Sequence, residues 1–218
     1  MSKTVAVLRL VSLALSFVFG IVALSVDINA LAKSNSQKST LRKDVPSGVT
    51  VNIDTQDVFS SGVVVTVVCG LIGLTSLLAL VHSFFRSLTS PFHRRTVPLF
   101  GAHLLTFLTI WLFATIIPFT DFVANRQAKI SASLGGVPLS QTIIQATEQQ
   151  LGFTPVYHKL GYLRTGAILP WFAFLFGATS AALSYVYARQ AATANHSTSS
   201  AGYVNEKHAG ASPGTQQV

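Results

Sequence analysis

Four long apolar runs, each sufficient to cross a lipid bilayer, dominate this chain of 218 residues. They cover about 10–31, 58–85, 97–120 and 165–188. A hydrocarbon layer of about 30 Å needs about 20 helical residues at about 1.5 Å each. Inside lipid every backbone N–H and C=O must find its partner within the segment, so runs of this length are helices. The second run contains no Asp, Glu, Lys or Arg between Asp57 and Arg86. Charges bracket the third and fourth as well: Arg95 and Asp121, then Arg164 and Arg189. The expected fold is all-α, an integral membrane four-helix bundle with a partly structured second outer loop. It occupies residues 1–190, followed by a cytoplasmic tail over 191–218.

The first run admits a second reading. Lys3 and Arg9, an apolar stretch and then Ala30-Leu31-Ala32 also describe a signal peptide cleaved before Lys33. The uninterrupted apolar part, 10–26, has 17 residues, against about 7–15 for the hydrophobic region of a typical signal peptide. That length favours a retained helix.

Composition excludes several classes. Hydrophobic residues make up 50% and charged residues only 10%, where a soluble domain carries about a quarter charged. The mean hydropathy of +0.51 also excludes a disordered chain. A single cysteine, Cys69, permits neither an internal disulfide nor a Cys-rich zinc site. No H-E-x-x-H, CxxC, G-x-S-x-G, P-loop or GxGxxG occurs, so the expectation is a non-enzyme with no catalytic, cofactor or metal residues. A net charge of +8 invites a nucleic-acid reading, but the basic residues are scattered over both sides of the bilayer.

Arg86, Arg94 and Arg95 crowd the 86–96 link between the second and third helices. A short basic loop stays inside, which places both termini in the cytoplasm. The same arginines suit anionic lipid headgroups, each contributing about 1 kcal/mol near the surface. In the first outer loop, 32–57, Val49-Thr50-Val51-Asn52-Ile53 alternates as a short strand would. The second, 121–164, holds a turn at Gly135-Gly136-Val137-Pro138 and then a short helix over 140–151, with Ser140 as N-cap, Gly152 as stop, and Ile144, Thr147 and Leu151 on one face. Beyond Arg189 the Ala, Ser, Thr and Gly-rich tail is expected to be disordered. It carries the one sequon, Asn195-His196-Ser197, and hydroxyls at Ser197–Ser200 open to phosphorylation.

Helices in lipid associate by close packing at small residues. Three spans carry such a stripe at i, i+4 and i+8: Ser12, Ser16 and Gly20; Gly62, Thr66 and Gly70; Ala173, Gly177 and Ala181. Together they predict a tight bundle, with spare faces for self-association. Pro118 is expected to end the third helix and Pro170 to kink the fourth. Intramembrane ionisable groups are the default functional suspects. His82 and His103 fall at similar depth near the inner boundary; they are expected to be neutral, hydrogen-bonded histidines, the alternatives being a proton relay or a haem-ligand pair. Asp27 is the one acid inside a span, near its outer edge.

Four spans, inner termini, a short basic inner loop and a longer second outer loop resemble eukaryotic tetraspan membrane proteins. The nearest are the MARVEL-type and the fungal PalI-type, eisosome-associated groups, and the stretch GFTPVYHKLGYLRTGAILPW over 152–171 has a fungal look. The likeness is one of architecture. The first outer loop has no Trp or Cys, and no Cys-Cys-Gly stands in the second. What it implies is a scaffold or adaptor in membrane organisation, trafficking or signalling, at the plasma membrane or an endomembrane. Its partners would be the lipid bilayer and a second copy or another membrane protein. The alternative is a small transporter or channel with His82 and His103 in the helix interface.

Overall fold

The computed structural model describes residues 3–44, 48–85, 97–150 and 154–209. Four long helices form the body: α1 (Lys3–Asp44), α2 (Gln56–Phe85), α3 (Val97–Asn125) and α5 (Gly161–Ala209). Each contains a segment long and apolar enough to cross a membrane: Thr4–Thr40, Gln56–Phe85, Phe100–Asn125 and Gly161–Gln190. The chain is therefore built as a multi-pass membrane protein. Helices α1 and α3 occupy opposite corners, each packed against both α2 and α5.

The bundle is inside-out by soluble standards. Large apolar side chains such as Val11, Leu74, Ile110 and Leu175 point outward, where lipid is as good a solvent for them as the core. The interior mixes Leu13, Val65, Ile72, Leu112 and Ile116 with Ser16, Ser76, Ala173 and Ser180. Small residues and hydroxyls let backbones approach, which is how helices hold together when burial of apolar surface offers little. Hydroxyls that do not cross between helices bond back to the carbonyl four residues earlier, as Thr66 does to Gly62 and Thr109 to Leu105.

Three boundaries differ from the sequence expectation. Helix α3 runs through Pro118 to Asn125. One proline removes one N–H from the ladder, and the turns beyond it are held because Phe119 and Val123 are buried. Helix α1 continues past residue 31 to Asp44, a rod of about 63 Å at about 1.5 Å per residue. Its polar end is fastened by Gln37 accepting a hydrogen bond from the Tyr162 hydroxyl and by Lys38 over the Phe59 ring. Helix α5 starts at Gly161, keeps a buried Pro170 inside it, and extends to Ala209 through the segment expected to be disordered. Alanines at 188, 191, 192 and 194 favour continuation of the helix there.

The strand expected at 49–53 is not alone. β1 (Val49–Asp54) pairs antiparallel with β2 (Lys129–Leu134), which pairs in turn with the short β3 (Val137–Pro138). The register sets Val49 opposite Leu134 and Asp54 opposite Lys129. Thr50 and Ser133 add a hydroxyl–hydroxyl bond of 2.8 Å across it. Gly135 and Gly136 both have positive φ, 59° and 88°, the geometry of a two-residue type I′ hairpin turn. Helix α4 (Gln141–Gln150) follows, beginning where the amides of Ile143 and Ile144 donate to the Ser140 carbonyl. Ile144 is buried and Thr147 is exposed, while Leu151 and Gly152 lie outside the described residues. A 3-10 turn (Tyr157–Lys159) then leads into α5. The α1–α2 and α3–α5 connections thus form one cap at one end of the bundle.

Candidate functional site

The expected packing stripes can now be placed. Ser12 bonds Ser180 at 2.8 Å and Thr179 at 3.1 Å, joining α1 to α5. Ser16 bonds Ser76 at 2.9 Å, joining α1 to α2. One turn on, Gly20 lies against the backbone of Gly73. Gly62 faces the Phe119 ring, Gly70 faces Leu24, and Thr66 is buried. On α5, Gly177 faces Thr109 and Ile72, with Ala173 and Ala181 buried one turn to either side. Arg9, buried at the end away from the cap, donates to Ser184 at 3.2 Å and lies over the Tyr187 ring.

The two histidines lie on different helices, His82 on α2 and His103 on α3. His103 packs edge-on to the Tyr185 ring, 5.2 Å between centroids, and His82 is half-buried on α2. Arg86, Arg94 and Arg95 lie outside the described residues. Among the described residues no three His, Cys, Asp or Glu side chains come together as a metal site.

The most unusual chemistry is at Asp27. It lies four residues inside the end of the first apolar run, about 6 Å at about 1.5 Å per residue. Its exposure is only 3%, and neither carboxylate oxygen has a hydrogen-bond partner. Around it is a cavity of about 20 Å³ at the junction of bundle and cap. Two further residues among its lining, Thr55, 8% exposed, and Tyr157, 3% exposed, also have buried hydroxyls without a hydrogen-bond partner.

Local structure explains why the two hydroxyls are left without partners. Thr55 directly precedes α2, a position where a hydroxyl ordinarily caps the helix. Here Asp54 accepts from the Gln56 amide and Asp57 from the Val58 amide, so the Thr55 hydroxyl is left without either of them as a partner. Tyr157 is set by the 3-10 turn, which is fastened beside β2 by the Ala128 amide donating to the Pro155 carbonyl. Burial holds the Tyr157 phenol above its ordinary range; Asp57 and Asp54 push the same way and Arg126 opposes them. Its hydroxyl therefore keeps its proton. Gly166 of α5 lies against the carboxylate, since a Cβ there would stand 2.8 Å from Asp27 Oδ1.

Sequence reasoning found Asp27 as an acid in a span but not this site. The signal was present in part, an acidic residue with no Lys or Arg within one turn of it along the helix, whereas Thr55 and Tyr157 carry no local mark.

Fold and site together define a class: a four-helix membrane bundle whose α1–α2 and α3–α5 connections are folded into one small sheet-and-helix cap. No protein-family model, curated protein or solved structure matches the chain significantly.

Proposed function

We propose that the chain is a non-enzymatic membrane scaffold or adaptor of the MARVEL-like or PalI-like architectural kind. Its cap faces outward and its termini face the cytoplasm. The observation that supports this is the β1–β2 pairing, which joins segments some eighty residues apart into one surface. Arg126 reinforces it, reaching Asp57 at 3.0 Å while lying over the Phe122 ring. That surface presents Leu134, Val137 and Ile143 exposed outside the membrane-length helices, where the bundle does not cover them. Rigid presentation of apolar side chains suits recognition of another membrane protein or a second copy. The arginines of the inner loop would hold the opposite face to anionic headgroups.

Mild-detergent purification from a host of the native type, with and without prior cross-linking, tests the reading. A stoichiometric partner or homo-oligomer, lost when Val137 and Ile143 are both changed to Ser, is the expected result. A monomer with no cross-linked species counts against it.

A second reading is transport of a small cation, and the observation favouring it is the buried carboxylate of Asp27 rather than the histidine pair. Proteoliposome flux that falls with Asp27→Asn but not with His82→Phe and His103→Phe would select it.

A further inference from the structure

We propose that Asp27 is a proton-binding site and that its proton keeps the start of α5, residues 161–169, docked against α1. The inference needs neither the scaffold reading nor transport.

Asp27 is 3% exposed, and both its carboxylate oxygens lack hydrogen-bond partners. An ionised carboxylate so placed is costly unless a cation or several donors meet it. The described surroundings supply neither. The cavity beside it is lined mostly by apolar residues, with no Lys, Arg or His among them. Along α1 and α5 the nearest basic residues, Lys33 and Arg164, are exposed. On α2, Cys69 lies within electrostatic reach of the carboxyl, and the 3-10 turn brings Tyr157 to the cavity; neither is a cation. From α3 comes only Phe119. A proton is the one neutralising ligand that needs no ring of donors, because it bonds to a single carboxylate oxygen.

The element facing the carboxyl has its weak point at the same place. A Cβ on Gly166 would stand 2.8 Å from Oδ1, so the α5 backbone is seated directly on the acid. Four residues on, the buried Pro170 stays inside the helix. Proline has no N–H, so the α-helical bond that would end on the Gly166 carbonyl is missing. Gly166 is thus both the residue resting on the acid and the point where the α5 ladder is interrupted, and helices bend at such points.

Loss of the proton sets a charge against a backbone that can give way there. Residues 161–169 then part from α1 and water reaches the carboxylate. The same segment is tied to the cap, by the 3-10 turn that precedes it and by the Tyr162 hydroxyl donating to Gln37 on the projecting part of α1. Proton binding therefore reaches the cap as a change in how firmly α5 is docked. The docked form holds one more proton than the parted form. Docking is accordingly favoured as pH falls, by up to about tenfold in the equilibrium per pH unit.

The test is amide hydrogen exchange of the full chain in detergent between about pH 5 and about pH 9. At each pH the segment 161–169 is compared with the same segment of Asp27→Asn, so that the chemical exchange rate cancels. Relative to that variant, the unmodified protein should exchange faster there as pH rises, by up to about tenfold per unit. The segment 105–116 of α3 should show no such trend. Pro170→Ala restores the missing N–H and should slow alkaline exchange in 161–169 by up to about tenfold, the value of one net hydrogen bond. Infrared absorption of the unmodified protein at neutral pH should contain the carbonyl band of a protonated carboxyl, a readout that needs no variant to fold. The proposal is overturned by an exchange ratio that stays constant with pH, or by a rise shared equally by α3. It is also overturned by exchange in Pro170→Ala equal to that of the unmodified protein, or by the absence of the protonated-carboxyl band.

Discussion

The backbones of α1 and α2 meet at Gly20 and Gly73: a Cβ on Gly20 would stand 2.9 Å from Gly73 Cα and 3.1 Å from the Cys69 carbonyl oxygen. Neither obstacle is a side chain that can swing away. The reverse contact is different, since a Cβ on Gly73 would first meet the Ile21 side chain at an ordinary 3.4 Å. Gly20→Ala should therefore destabilise the bundle by about 1–3 kcal/mol, the range for overpacking, and Gly73→Ala by much less. Thermal denaturation of both variants in one detergent checks the asymmetry; equal losses would show that the close approach is not what holds this crossing.

Ser16 and Ser76 are both fully buried and bonded to each other. Interhelical hydrogen bonds in membranes average only about 0.6 kcal/mol, with a maximum near about 1.7. A double-mutant cycle through Ser16→Ala and Ser76→Ala should return a coupling in that range. Each single change leaves one hydroxyl without its partner, so the double variant should lose less than the sum of the two singles.

Arg126 and Asp57 form the described ion pair of the cap, with the arginine side chain half exposed. Exposed pairs contribute about 0–1 kcal/mol and weaken with salt. Arg126→Ala should thus have a small effect that shrinks further in high salt. Asp57→Ala should cost more, because Asp57 also accepts from the Val58 amide at the start of α2. Unfolding midpoints at low and high salt decide this; similar losses from the two substitutions would mean that the helix-start bond contributes nothing.

Tyr157 offers a pH test. Its folded phenol ionises above the ordinary value, chiefly through burial, whereas the unfolded phenol titrates near about 10. Below that pH both states keep the proton and stability does not respond. Above it the unfolded state binds fewer protons than the folded one, so stability falls as pH rises, by at most about 1.4 kcal/mol per pH unit for this one group. Tyr157→Phe should flatten the decline on the alkaline side of pH 10. Parallel curves for the two proteins would show that the phenol is not shielded.

Intact mass of protein made in a host of the native type bears on the two ends of the chain. A value near 23.2 kDa is expected, with α1 retained and Asn195 unmodified on the cytoplasmic side. Loss of residues 1–32 would remove Ser12, Ser16, Gly20 and Asp27 from the bundle. A glycan at Asn195 would reverse the proposed orientation.

Much of the bundle was legible along the chain. Apolar length dictates a spanning helix wherever water is absent, because only a helix satisfies its own backbone. The small-residue stripes read as contact faces for an equally local reason, since i and i+4 share one side of a helix. Helix ends were less legible. Pro118 and the polar stretch after residue 31 look like stops, but burial of Phe119 and Val123 and the Gln37–Tyr162 bond carry the helices past them. Gly73 escaped notice because it stands three residues beyond Gly70, off the i+4 spacing, yet it rather than Gly70 meets Gly20.

By itself the sequence determined that the chain has four membrane-length helices, that small residues line their contacts, and that one acid sits inside a span. These are properties of single segments, and local physics is enough for them. Only the tertiary structure decided that β1 would find β2 across the second and third helices, that Gly20 would meet Gly73, and that Asp27, Thr55 and Tyr157 would line one cavity. Those outcomes depend on which residues from distant parts of the chain become neighbours, and that is set by the packing of whole helices against one another rather than by the residues beside each group.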